Sequence, residues 1–274
     1  MKKIIITKSL VHLPRRKKDS RKGDNGRVLI IGGSHEYIGA PALAGIAAMR
    51  SGADSVVVAA PEKVAWAINA LSSDLVTRKL PGQWLAARHF PALMKLAAHA
   101  DCVLIGGGVH PRPQSLALIK KITGAFAGYK ILDAAAITAF DRAKLQNAIL
   151  TPNLGEYERL RHYADIQRFI ARGNIVVQKS WRTKIFTRHA TYENRSGNPG
   201  LTKAGTGDVL AGLIAGFVAQ SKNPLQSTIN AVYYLGTLGE LLYKKKRGYF
   251  YLASDLAQAE RSLAFMYPPN TQHD

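Results

Sequence analysis

At 274 residues, 47% of them hydrophobic, the chain is long enough to bury a substantial core and reads as one α/β domain over 1–274, with 1–22 as a basic N-terminal segment. No run of roughly 18 apolar residues is present, which argues against a membrane span. Met1–Lys8 has too short an apolar centre and no small-residue cleavage site for a signal peptide. Cys102 is the sole cysteine, which excludes internal disulfides and suits a reducing cytoplasm. The net charge of +20 favours polyanionic ligands. Its clusters, Arg15–Lys18, Arg21-Lys22 and Lys244–Arg247, carry no zinc-finger, RNA-recognition or KH signature, so they read as solvated faces and no nucleic-acid partner is expected.

In chain order, Lys22–Gly26 turns into Arg27–Ile31, a short apolar run bounded by glycines that predicts a buried parallel strand. Gly32–Pro41 follows as a loop at the strand's carboxyl end, where ligands bind in open α/β sheets, and a small-residue helix is expected over 42–51. The loop has neither the P-loop lysine nor the dinucleotide-binding glycine spacing. Ser55–Ala60 predicts a second strand, and Pro61 suits the first turn of a helix through Leu71. A short strand over 75–80, a helix over 94–100 and a third buried strand over 101–105 follow. That strand ends at Gly106-Gly107-Gly108, which is either a close-approach site for a ligand or a tight turn.

Lys130–Asp133 predicts a further strand, and Ala148–Thr151 leads into Pro152–Glu158. Thr151 suits a helix cap, Pro152 the first helical position and Glu156 the first turn, where negative charge is favoured. A helix over 164–172, a strand over 174–179 and a hairpin from 184–187 and 191–192 precede helices over 205–220, 224–245 and 253–265.

The stretch Gly197-Asn198-Pro199-Gly200 to Ala204-Gly205-Thr206-Gly207-Asp208 is where the chemistry concentrates. Glycine and proline forbid regular structure in its first half, and apolar residues then recur at helical spacing from Val209. The first N–H groups of such a helix have no internal partner and stand at the positive end of its dipole, so Gly205, Thr206 and Gly207 can wrap a phosphate. Asp208, at the mouth of that anion hole, suits a base that takes the proton of a hydroxyl attacking the phosphate. The plainer reading of Gly-Thr-Gly-Asp is a helix cap.

The longer motif Asn198-Pro199-Gly200…Gly205-Thr206-Gly207-Asp208-Val209-Leu210-Ala211-Gly212, with Lys22-Gly23-Asp24…Gly32-Gly33-Ser34…Gly39-Ala40-Pro41 upstream, resembles the nicotinamide nucleotide hydrate dehydratase family of the ribokinase-like superfamily over about Lys22 to Glu240. The resemblance implies a doubly wound α/β/α three-layer fold with a mainly parallel sheet. It implies an ADP- or ATP-dependent dehydratase acting on hydrated NADH or NADPH (NADHX, NADPHX), with Mg2+, in a cytoplasmic homo-oligomer, a tetramer in relatives. By motif position, Asp208 is implied as the base and Gly205, Thr206 and Gly207 as the anion hole. Lys179, Ser180, Trp181, Arg182 and Thr183 stand at the family's K-G-x-x-T, which holds the nucleotide. Gly39, Ala40, Gly107, Asn153 and Asp208 stand at substrate-contacting positions.

The chain departs from the family at four points. It reads Gly-Gly-Gly-Val-His at 106–110, Ala135 where a second carboxylate follows Asp133, Asn153 where the family has a substrate-contacting histidine, and Ser180 where the K-G-x-x-T motif has glycine. Asn153-Leu154-Gly155-Glu156 also restores the N-x-x-E motif of the wider kinase superfamily, in which the glutamate helps hold magnesium through water. A small-molecule kinase acting on a sugar-like or hydroxymethyl substrate is therefore the rival expectation, and a non-catalytic nucleotide-binding protein the third.

Overall fold

Alternating apolar residues build a sheet buried on both faces: Val28 and Ile30 join one core cluster while Leu29 and Ile31 join the other. The computed structural model describes residues 2–139, 145–161 and 165–258. Its strands are β1 (Lys2–Ile5), β2 (Arg27–Ile31), β3 (Ser55–Pro61), β4 (Val76–Leu80), β5 (Cys102–Ile105), β6 (Tyr129–Leu132), β7 (Ala148–Leu150), β8 (Ile175–Gln178), β9 (Lys184–Phe186) and β10 (Ala190–Glu193). The helices are α1 (Gly39–Arg50), α2 (Glu62–Leu71), α3 (Phe90–Ala97), α4 (Pro113–Ala125), α5 (Leu154–Arg161), α6 (Asp165–Ala171), α7 (Thr206–Ser221), α8 (Pro224–Lys245) and α9 (Ala253–Gln258). The part of the expected last helix beyond Gln258 lies outside the described residues.

The strands form one sheet in the order β1-β10-β9-β8-β7-β6-β5-β2-β3-β4, parallel except where β9 runs against β8 and β10. One face carries α1, α2, α7, α8 and α9, the other α3 to α6. The expected doubly wound α/β/α architecture is therefore present. The order reverses between β2 and β5, which pair in parallel. Loops leaving those two strands meet at a switch point, where Gly33 N donates to Gly107 O at 2.9 Å. A Cβ on Gly32 would stand 2.4 Å from that same oxygen, so the glycines let the two loops close on each other.

Three local expectations are corrected. Pro61 ends β3 instead of opening α2. Helix α1 begins at Gly39, so Gly39 and Ala40 belong to its first turn and not to the preceding loop. Thr151 does not cap α5: Asn153 N donates to Glu156 Oε2 at 2.8 Å and Glu156 N donates to Asn153 Oδ1 at 2.9 Å, a reciprocal capping box that begins two residues further on. The first residues also join the sheet, as β1 pairs in parallel with β10, a pairing that local periodicity did not disclose.

α7 is buried nearly all round and crosses α1 at backbone contact. A Cβ on Gly212 would stand 2.1 Å from Ala44 O, and one on Gly216 would stand 2.7 Å from Ala48 O. The small residues of α1 and the glycines of α7 hold α7 low against the sheet, which aims its first turn at the switch point. The basic clusters at 15–18, 21–22 and 244–247 are exposed, as solvated faces should be. No described helix is long and apolar enough to cross a membrane.

Candidate active site

A cavity of about 1050 Å³ opens at the carboxyl ends of the parallel strands. The first turns of α1 and α7 line it with Gly39, Ala40, Gly205, Thr206, Gly207 and Asp208, and Gly108 reaches it from the loop after β5. The Thr206 hydroxyl lies 2.7 Å from Leu201 O and 2.9 Å from Lys203 O, which ties the incoming loop to the helix start. Gly205 has φ +88° and a Cβ there would collide with Leu43 and Ala253, so both conformation and space demand glycine.

Asp208 sits in that first turn. A Cβ on Gly107 would come within 3.1 Å of its Oδ1, so Gly107 backs the carboxylate while its neighbour Gly108 faces the cavity. Burial, followed by the charge of Asp133, pushes the Asp208 carboxyl up to about 7, with Lys179 opposing the rise. A carboxyl that changes state near neutrality beside an anion-binding turn can accept a proton and later return it.

Lys179, at the end of β8, donates to Asp133 Oδ1 at 2.8 Å, and Thr151 Oγ1 donates to the same oxygen at 2.7 Å. Burial alone would depress the lysine, but the facing carboxylates Asp133, Glu156 and Asp208 outweigh it and hold the ammonium above its ordinary value. A Cβ on Gly207 would stand 3.0 Å from Lys179 Nζ, so a fixed cation lies directly beside the first turn of α7. Sequence reading placed Asp133 at a strand end without a partner and missed this pair. The only available signal was a carboxylate and a lysine at the carboxyl ends of two parallel strands.

Of the remaining expected site residues, Asn153, Ser180, Trp181 and Thr183 line the cavity. The Ser180 hydroxyl donates to Arg182 O and the Thr183 hydroxyl to Ser180 O, which closes the turn between β8 and β9. Arg182 falls outside the lining: its guanidinium stacks 4.2 Å over the Trp181 ring and reaches Glu193 at 3.9 Å. Glu156 lines the cavity while its Oε2 serves the capping box. Val232, Leu235 and Gly236 of α8 complete an apolar wall that no local motif announced.

A doubly wound sheet with a carboxylate in the first turn of a glycine-led helix at the switch point defines a ribokinase-like protein. More particularly, the chain belongs to the NAD(P)H-hydrate dehydratase family, whose model matches residues 28–261. It is 33% identical over 263 residues to the ADP-dependent (S)-NAD(P)H-hydrate dehydratase of Cenarchaeum symbiosum, covering 90% of this chain and 91% of that one. It is 34% identical over 257 residues to the bifunctional NAD(P)H-hydrate repair enzyme Nnr of Pyrobaculum aerophilum, covering 89% of this chain and 51% of that one. The chain thus spans about half the length of the bifunctional relatives it matches. The solved ADP/ATP-dependent NAD(P)H-hydrate dehydratase of Bacillus subtilis, co-crystallised with ATP and Mg2+, superposes with a TM-score of 0.81 at 26% identity, covering 96% of this chain and 99% of that one.

Proposed function

We propose that this chain is an ADP- or ATP-dependent dehydratase that restores NADH and NADPH from their hydrates. The observation that carries the reading is Asp208, a half-buried carboxyl raised to about 7 in the first turn of α7, facing a large cavity. The hydrate hydroxyl attacks the terminal phosphorus of the donor as Asp208 takes its proton, and the bond from phosphorus to the leaving nucleotide breaks. Phosphate then leaves the ring carbon with the bonding electrons, a proton leaves the neighbouring carbon, and the ring double bond is restored. Backbone N–H groups over Gly205–Gly207 and the Lys179 ammonium offset charge on the transferred group.

The names of the relatives support the donor assignment, ADP in Cenarchaeum symbiosum and ADP or ATP in Bacillus subtilis. Among the described residues no group of three or more His, Cys, Asp or Glu side chains is arranged to hold a metal. A divalent ion would accordingly rest on donor phosphates and water with Glu156 as its carboxylate, an oxygen-rich, partly hydrated set that suits magnesium. Bound there, magnesium would neutralise phosphate charge. The rival kinase reading leaned on Asn153 and Glu156, whose side chains each accept from the other residue's backbone N–H.

The test is absorbance at the reduced-nicotinamide band after mixing protein, hydrated NADH, Mg2+ and either ADP or ATP. Recovery with one or both donors, lost in Asp208→Asn, is expected. A stable phosphoester of the substrate in place of free phosphate would make the protein a kinase.

A further inference from the structure

Beyond the cavity mouth, the loop after β5 carries a cluster that the reaction above does not use. The Arg112 guanidinium lies 3.9 Å over the Trp84 ring. His110 packs edge-on against the same indole, with ring centroids 5.4 Å apart. Arg112 N donates to His110 O at 2.8 Å, which ties together the two residues that meet the indole. His110 Nε2 lies 3.9 Å from Glu36 Oε2, and Glu36 and Tyr37 line the cavity. A Cβ on Gly108 would stand 2.6 Å from Tyr37 O, so the cluster is continuous with the rim. Among the described residues His110 Nδ1 is buried without a hydrogen-bond partner, an orphaned polar atom of the kind that a ligand or water satisfies.

On the hydrate-repair reading, with the reacting ring at Asp208 and the donor at the 179–183 turn and the α8 wall, the part of the cavity lined by Glu36, Tyr37 and Gly108 is left for the rest of the dinucleotide. We propose that Trp84, Arg112 and His110 form a subsite for the distal nucleotide half of the dinucleotide, with the indole as a stacking face for its base and Arg112 as the cation for its phosphates. Glu36 repels those phosphates and so directs them towards Arg112. The subsite rests on the hydrate-repair reading for its ligand and not for its test.

The test is titration calorimetry of NADPH and of reduced nicotinamide mononucleotide, which lacks the distal half, against wild type, Trp84→Ala and Arg112→Glu. Both variants should weaken NADPH about tenfold or more, the size of one lost base-stacking contact, and leave the mononucleotide within about twofold. NADPH affinity unchanged in the variants, equal weakening of both ligands, or a wild type that does not prefer NADPH would overturn the proposal. A wild type with this Trp84-dependent binding but no turnover of hydrate would sink the dehydratase reading and leave the subsite standing.

Discussion

Lys179 Nζ lies 2.8 Å from Asp133 Oδ1, and the same cation opposes the rise of the Asp208 carboxyl. Asp133 is held by the ammonium and the Thr151 hydroxyl, whereas Asp208 rises because burial and the Asp133 charge outweigh the lysine. Replacing Lys179 by Met should cut kcat at least tenfold and move the acid limb of the rate profile to higher pH, because the charge that lowers Asp208 is gone. Asp133→Asn should move that limb to lower pH, since it removes the charge that raises Asp208. Limbs that stay put in both variants would show that Asp208 is not the titrating group.

Asp208 sets the pH dependence of stability as well as of rate. With a folded value of about 7 against an ordinary 3.8, the folded state holds a proton that the unfolded state has lost between those limits. The contribution of Asp208 to stability therefore falls as pH rises from about 4 to about 7 and stays at the lower level above. Asp208→Asn should raise Tm at pH 8, leave it nearly unchanged at pH 4, and lower kcat on the order of a hundredfold or more. Calorimetric scans at the two pH values and steady-state rates check all three outcomes.

Glu156 has a structural duty that can be separated from any metal duty. Glu156→Ala breaks the capping box and should cost about 0.5–2 kcal/mol by denaturant unfolding. Glutamine still serves that box, so Glu156→Gln should unfold like wild type. If the carboxylate also helps to place magnesium, the same variant should need more Mg2+ for half-maximal rate.

Helix glycines in this fold differ in what their space holds. Gly212→Ala would press a Cβ into Ala44 O, and because backbone cannot yield cheaply it should destabilise by about 1–3 kcal/mol despite the better helix propensity of alanine. Gly124 in α4 has nothing within 4 Å of that position, so Gly124→Ala should be neutral or slightly stabilising. Unfolding midpoints that rank the two variants the other way would refute the tight α1–α7 contact.

Much of the architecture was legible because burial is written locally. Short apolar runs predicted β2, β3, β5, β6 and β8, and helical spacing after Gly205-Thr206-Gly207-Asp208 predicted α7. The hairpin of β9 and β10 was equally visible, since its strands are close in sequence.

Periodicity says which face of a residue is covered and never by what. Lys179 and Asp133 are 46 positions apart and meet only because β6, β7 and β8 lie side by side in parallel. Thr151 was read as a cap because its sequence neighbours suited one, and its hydroxyl instead goes to Asp133, across the sheet edge. The order of strands, the crossing of α1 over α7 and the junction of two glycine loops at the switch point all join distant segments. Local sequence thus determined the glycine-led first turn of α7 and the carboxylate it carries, while only the packed sheet decided the burial, the second carboxylate that raises Asp208 and the cation that opposes the rise.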